Sequence, residues 1–228
     1  MTPQIVRLLL TAVLATVVAA EAQAPDRTLP ERASAELVTS LDAAARHDRH
    51  VWRDTPAFND DGTVNAYVEI SRGDRRKWEF DMARNARAID RVMPAEVGGY
   101  PVNYGFVPQT VSFDGDPFDA LVLGPPIEGG GVVRGVIVGL MHMEDETGID
   151  PKVVLVVAGG GDRSPQRLDA EERQRIANYF GRYKRWEGKV SSVPGWGTAA
   201  DGRAHVQVTH AFFRECRRRS GTPCAVAP

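Results

Sequence analysis

The chain has 228 residues, of which 28 are basic and 30 acidic, so the formal charge is -2, and 43% of residues are hydrophobic. A balance so near neutral excludes a nucleic-acid binder that relies on bulk positive charge, and the composition is not that of a disordered, collagen-like or multi-span membrane protein. Length alone predicts one domain of roughly 200 residues.

The first segment departs from that composition. Arg7 precedes the uncharged run LLLTAVLATVVAA over residues 8–20. At ~1.5 Å per residue the run is too short for a hydrocarbon core of ~30 Å, but it suits the apolar stretch of a secretory signal peptide. Residues 1–24 are therefore expected to be a leader cleaved after Ala20 or Ala24, with Pro25 disfavouring the second site. The mature chain is expected to be periplasmic or secreted, with no membrane attachment after cleavage. Residues 25–60 read as an N-terminal extension. Its helical pattern, at Ala35, Leu37, Val38 and Leu41, would be marginal in isolation.

Asp60-Asp61-Gly62 is a turn signal, and residues 61–228 read as the main domain. Alternation predicts a strand over 64–70, and short runs at 77–80, 88–93, 120–123, 132–143 and 152–157 predict more. Ser164 as N-cap with Pro165 at the next position predicts a helix over 165–186, with Leu168, Ile176, Tyr179, Phe180 and Tyr183 on one face. A second helix is expected to start at Thr198 and to end near the arginines at 217–219, which suit a helix C-terminus. The expected fold is mainly β with α, a small closed OB-like five-stranded β-barrel with two flanking C-terminal helices. Cys216 and Cys224 are the only cysteines. Export would permit a bridge between them, and two free thiols are the alternative.

The densest chemical signal is Asp114-Gly-Asp116-Pro-Phe-Asp119. It is not an EF-hand loop, because Phe118, Asp119 and Pro125 fall where a ligand, Gly and Glu are required. Glu144-Asp145-Glu146 and Asp150 form a second acidic group. Crowded carboxylates need cations, and oxygen donors without nearby His or Cys point to a hard ion such as Mg²⁺; for either group alone a solvated turn is the alternative. Of the 28 basic residues only four are Lys, at 77, 152, 184 and 189. Where Arg serves as the general cation, a retained Lys suggests a point charge for phosphate. Tyr100 and Tyr104 add phenols just upstream of the Asp triplet. Carboxylates, cations and phenols together suit a small polyanion carried in with divalent metal, hence phosphoryl transfer to water. No GxxxxGK[ST] loop or GxSxG elbow is present.

Residues 64–196 resemble the soluble family I inorganic pyrophosphatases, through VEI at Glu69, KWEFD, DRVMP, YPVNYGFVPQT, DGDPFDALVLG, MEDETGIDPK and FGRYKRWEGK. His50 to Pro56, HVWRDTP, is also similar to a segment of the longer, eukaryotic-type members. The resemblance implies that 61–228 is a pyrophosphatase catalytic domain hydrolysing pyrophosphate to two phosphates without a covalent intermediate. It implies that Asp114, Asp119, Asp150, Asp145 and Glu69 hold Mg²⁺, for which Mn²⁺ or Zn²⁺ could substitute, and that Asp116 is the general base. Lys77, Arg91, Tyr104, Lys152, Tyr183 and Lys184 would bind the phosphates, with Glu79, Tyr100 and Glu146 in support. Trp78 departs from the family's usual Tyr, and the segment after Lys189 is short. The resemblance also implies a homo-oligomer, hexamer or dimer, while tyrosines interleaved with acids argue against a nucleic-acid partner. An exported hydrolase of other phosphoanhydrides is the alternative, and a barrel that merely binds oligonucleotide or metal is the non-enzymatic one.

Overall fold

A computed structural model describes residues 24–159 and 168–228. The apolar run at 8–20 and the Ser164–Pro165 signal thus lie outside the described residues. In chain order the elements are β1 (Thr28–Leu29), α1 (Glu31–Ala44), α2 (Val51–Asp54), β2 (Val64–Ile70), β3 (Arg76–Asp81), β4 (Ala86–Val92), β5 (Asn103–Phe106) and β6 (Asp119–Leu123). There follow β7 (Val132–Asp145), β8 (Gly148–Ile149), β9 (Lys152–Val157), α3 (Ala170–Phe180), a 3₁₀ turn at Arg185–Glu187, β10 (Ser191–Gly197), α4 (Ala199–Glu215) and β11 (Cys224–Ala225).

Five strands close into a ring in the order β7-β2-β5-β6-β9, with β9 returning to β7. Only the β6–β9 pair within it is parallel. Strand β7 makes closure possible through its 14 residues. One edge carries β2 and then β10, and the other carries β9. Alternate residues of β6 and β9 enter two different cores. Ala120, Val122, Val153 and Leu155 join Val206 of α4, whereas Leu121, Leu123 and Val154 join Ile176 and Phe180 of α3. Burial on both faces explains why these strands read as continuous apolar runs.

Besides the two-residue strands β1, β8 and β11, two longer strands escape sequence reasoning. β5 contains Gly105, which marks a close approach: a Cβ there would stand 1.8 Å from the Tyr67 carbonyl oxygen of β2. β10 (SSVPGWG) is bulged between Ser192 and Gly195, so its Pro and Gly imitate a turn. The helices need correction too. α3 covers 170–180 rather than 165–186, and its N-cap is Asp169, whose side chain accepts from the Glu172 N–H. Tyr183 and Lys184 therefore lie beyond the helix. α4 begins at Thr198 as expected, with a full capping box, but it stops at Glu215, so the arginines at 217–219 follow it.

The N-terminal extension is packed into the fold. Leu29, Ala33, Leu37 and Trp52 are fully or almost fully buried with Val208, Phe212 and Phe213 of α4. Burial of a leucine stabilises by about 1.5–3 kcal/mol, which is how a helix weak on its own is retained. His50 shares its ring nitrogen with the Met82 carbonyl, 3.0 Å away, and His47 contacts that of Ala83 at 2.9 Å, so the segment also grips the β3–β4 hairpin. Cys216 and Cys224 are joined as a disulfide.

Candidate active site

One end of the barrel opens into a cavity of about 560 Å³, lined by residues of α1, β2, β3, β5, β6 and β7 and of the segments that connect the elements. Strand β2 supplies Glu69, the β3–β4 hairpin Lys77 and Glu79, β5 Tyr104, the turn before β6 Asp114 and Asp116, and β6 itself Asp119. Asp145 ends β7, Asp150 precedes β9, and Tyr183 and Lys184 follow α3. Tyr100 completes the set. Twelve of the fifteen expected site residues thus share one cavity. Arg91 lies next door, in a pocket of about 60 Å³ bordered also by Lys77, Tyr183 and Lys184. Lys152 is buried beneath the cavity residues, and Glu146 touches the site through Lys184.

Local sequence explains each placement. Glu69 is the next-to-last residue of β2 and so stands at the barrel end, where its carboxylate accepts from the Phe80 N–H at 2.6 Å and ties the hairpin to the barrel. Gly115, at φ +101°, lets the chain reverse between Asp114 and Asp116. The Asp116 N–H donates to Asp114 Oδ1 at 3.1 Å, and the Ser112 N–H to the Asp116 carbonyl at 2.6 Å. Tyr100 packs its ring 5.5 Å from Tyr104 and 5.3 Å from Tyr179, forming an aromatic wall.

Negative charge dominates. Eight carboxylates line the cavity against three cations, Arg32, Lys77 and Lys184. Burial, followed by repulsion from Asp116 and Asp119, pushes the Asp114 carboxyl up to about 7. Asp116, more open to the cavity, is pushed to about 6 by burial and by Asp119. Glu69 is lifted well above the carboxylate range by burial and by Asp119. The cations answer locally. Lys152 donates to Asp119 and, at 2.8 Å, to Asp150; burial opposes its charge, yet the two carboxylates hold the ammonium above the ordinary lysine range. Burial outweighs this pairing at Asp150, whose carboxyl is raised. Lys184 bonds Asp145 at 2.5 Å and, against the burial of both groups, holds that carboxylate low. Arg91 pairs with Glu187 and, at 2.5 Å, with Asp90. Burial keeps the phenols of Tyr100, Tyr104 and Tyr183 protonated, hence donors.

Whether this set fits a divalent cation follows from its chemistry. The donors are all oxygen, they are short of positive charge, and burial with mutual repulsion raises two of them, Asp114 and Asp116, to about 7 and about 6. Among the described residues no three of these side chains are drawn close enough to hold an ion unaided. Carboxylates spread around a cavity suit a hydrated ion, because Mg²⁺ keeps several waters and is bound through few carboxylates plus substrate phosphates.

Sequence reasoning missed several cavity residues. Arg32 and Glu36 come from α1, and their spacing of four announces only a helix-surface pair. Glu187 borders the small pocket, as does Lys189, which the lysine count singled out without a role. For Glu187, its closeness to Lys184 in sequence was the available signal. Trp78 lines the cavity with Arg87 stacked 4.2 Å from its ring, so an indole fills the position where the family commonly has a phenol.

A barrel whose open end gathers carboxylates, ammonium groups and phenols has the chemistry to receive a small polyanion together with a hard cation. A family model described as inorganic pyrophosphatase matches residues 66–214. The inorganic pyrophosphatase of Thermus thermophilus is 41% identical over 146 residues, covering 58% of this chain and 80% of its own. The soluble inorganic pyrophosphatase of Zea mays is 35% identical over 210 residues, covering 86% of this chain and 93% of its own. A crystal structure of the Thermus thermophilus enzyme superposes with a TM-score of 0.67 at 34% identity, over 72% of this chain and 99% of that one. The chain belongs to the inorganic pyrophosphatase family.

Proposed function

We propose that this protein hydrolyses inorganic pyrophosphate to two orthophosphates with Mg²⁺ as its metal. The observation that carries the reading is the convergence of the Asp114–Asp119 turn, Asp150 and four of the six phosphate-binding candidates, Lys77, Tyr104, Tyr183 and Lys184, on one cavity. Asp114, Asp119 and Asp150 would hold the metal, with Asp145 and Glu69 further round the wall. When bound, divalent ions supply Lewis acidity that makes a water acidic near neutral pH and offset the charge of the phosphates.

The remaining work falls to the chain. Asp116 takes the proton of the attacking water, a role suited by a carboxyl near 6. Lys77, Arg91 and Lys184, gathered round the small pocket, bind the leaving phosphate, and Tyr104 and Tyr183 donate to it. Lys152 binds phosphate less directly, since it is covered by Asp119 and Asp150 and holds them in place. Glu79, Glu146 and Tyr100 keep Lys77, Lys184 and the aromatic wall in position. Rate then comes from positioning and electrostatics without an enzyme-bound covalent intermediate.

The apolar leader and the bridge between the only two cysteines support export to the periplasm or beyond the cell. A homo-oligomer is the assembly that the family resemblance supports, and light scattering measures it. The decisive assay is phosphate release from pyrophosphate with Mg²⁺ by the mature protein and by Asp116→Asn. We expect the variant to keep its fold and lose about 10²–10⁴ in turnover. Tripolyphosphate and ATP in the same assay separate a pyrophosphatase from a broader phosphoanhydride hydrolase. No release from pyrophosphate by the wild type sinks the reading.

A further inference from the structure

The N-terminal helix reaches the cavity through one pair of side chains. Burial of Ala33 and Leu37 against α4 turns the adjacent positions, Arg32 and Glu36, to the cavity rim, where they are joined at 2.9 Å. Glu36 lies directly on Gly115. A Cβ at that glycine would stand 2.0 Å from Glu36 Oε2 and 2.9 Å from Glu36 Cβ. Gly115 is the left-handed pivot of the turn whose flanks are Asp114 and Asp116. A turn centred on glycine has more conformational freedom than any other, and the Glu36 side chain covers it.

The same helix is fixed at its start by the far part of the chain. Thr28 pairs with Ala225 and Leu29 with Cys224 in the β1–β11 ladder. The Val226 N–H donates to the Arg27 carbonyl at 3.0 Å, and Arg27 Nη1 donates to the Ala227 carbonyl at 2.5 Å. Cys224 in turn is bonded to Cys216, the residue that caps α4. A continuous path thus runs from the disulfide through β11, β1 and α1 to Glu36 and the Asp114–Asp116 turn.

We propose that α1 braces this turn, that Glu36 is a positioning residue for it, and that the Cys216–Cys224 bridge holds the brace seated, so that the redox state of the bridge is coupled to turnover. The proposal rests on the reading of Asp114 and Asp116 given above. Sequence position alone would not suggest it, because Arg32 and Glu36 fall outside residues 66–214, which match the family model. Glu36 contributes little to the core, its side chain being 40% exposed, so its replacement leaves the fold intact. Reduction by dithiothreitol converts the bridge to two thiols while the reagent closes to its own disulfide, two electrons and two protons passing to the protein.

Hydrogen exchange of the amides at 112–116, read by mass spectrometry alongside pyrophosphatase kinetics, tests the idea. In Glu36→Ala we expect those amides to exchange faster and kcat to fall about tenfold, with KM changed less than about twofold and α3 amides unaffected. Glu36→Gln, which keeps the shape, should leave exchange at 112–116 as in wild type. Reduction of the wild type should reproduce the Glu36→Ala values, and reduction of Glu36→Ala should add nothing, as for two perturbations of one path. Unchanged exchange at 112–116 in Glu36→Ala, or additive effects of substitution and reduction, overturns the proposal. The exchange measurement needs no turnover. A wild type inactive on pyrophosphate therefore refutes the functional reading while the brace is still measured.

Discussion

Lys152→Met isolates the charge at the floor of the site. The Lys152 side chain is only 1% exposed, and its ammonium donates to Asp119 and to both oxygens of Asp150, at 2.8 and 2.9 Å, while standing 5.6 Å from the Tyr104 ring. Methionine keeps the unbranched stem and its packing but leaves two carboxylates facing each other without a cation. Removing one member of a buried ion pair costs about 3–5 kcal/mol, most of it the charge left behind. At about 2–4 °C per kcal/mol for a domain of this size, Tm should fall by about 6–20 °C in EDTA. Mg²⁺ should return part of that loss, because an ion bound only by the folded state stabilises it and replaces the missing charge. Sodium chloride at equal ionic strength should not. Calorimetry of both proteins in EDTA, in Mg²⁺ and in sodium chloride measures the three terms. A metal-free variant as stable as wild type, or one that Mg²⁺ stabilises no more than it does wild type, would refute the reasoning.

Other outcomes follow from the same geometry. Asp114 is pushed up to about 7 from an ordinary value of 3.8, so in the metal-free protein its ionisation penalty is fully present above pH 7 and is relieved as pH falls toward 4. Asp114→Asn should therefore be more stable than wild type at pH 8 in EDTA, by about 1–3 kcal/mol after discounting for solvent at the cavity, and the gain should vanish near pH 4 in urea titrations. Gly105→Ala forces a methyl onto the Tyr67 carbonyl and should separate β2 from β5, with loss of soluble, pyrophosphate-hydrolysing protein. Reducing Cys216–Cys224 opens a short loop and should lower stability by about 2.5 kcal/mol on the loop-entropy account, read as a shift in the urea midpoint.

Much of the barrel was legible because β-branched runs bounded by turns leave few other structures open, and β2 and β9 match their expected limits. β5 and β10 were not, because glycine and proline mark both a turn and a strand that another backbone approaches closely or bulges past. The cavity's carboxylates, lysines and tyrosines were legible through their clustering and through the scarcity of Lys. Arg32 and Glu36 were hidden for a different reason. Their part in the site depends on which face α1 buries, and that is decided by Val208 and Phe212, far along the chain. The end of α3 was overrun because the apolar stripe continues into Tyr183, although the backbone leaves the helix at Gly181.

The pairing of residues 28–29 with 224–225 also dictates an order of events. Synthesis delivers the N-terminal strand first, yet its partner emerges almost two hundred residues later. The five-strand ring and α4 can therefore assemble before α1 has anywhere stable to dock. Contacts of such sequence separation form late and slowly. We expect a two-stage maturation in which the barrel closes first and the helix over the Asp114–Asp116 turn is seated last. A protein lacking only its final few residues should fold its barrel and still lack a settled N-terminus.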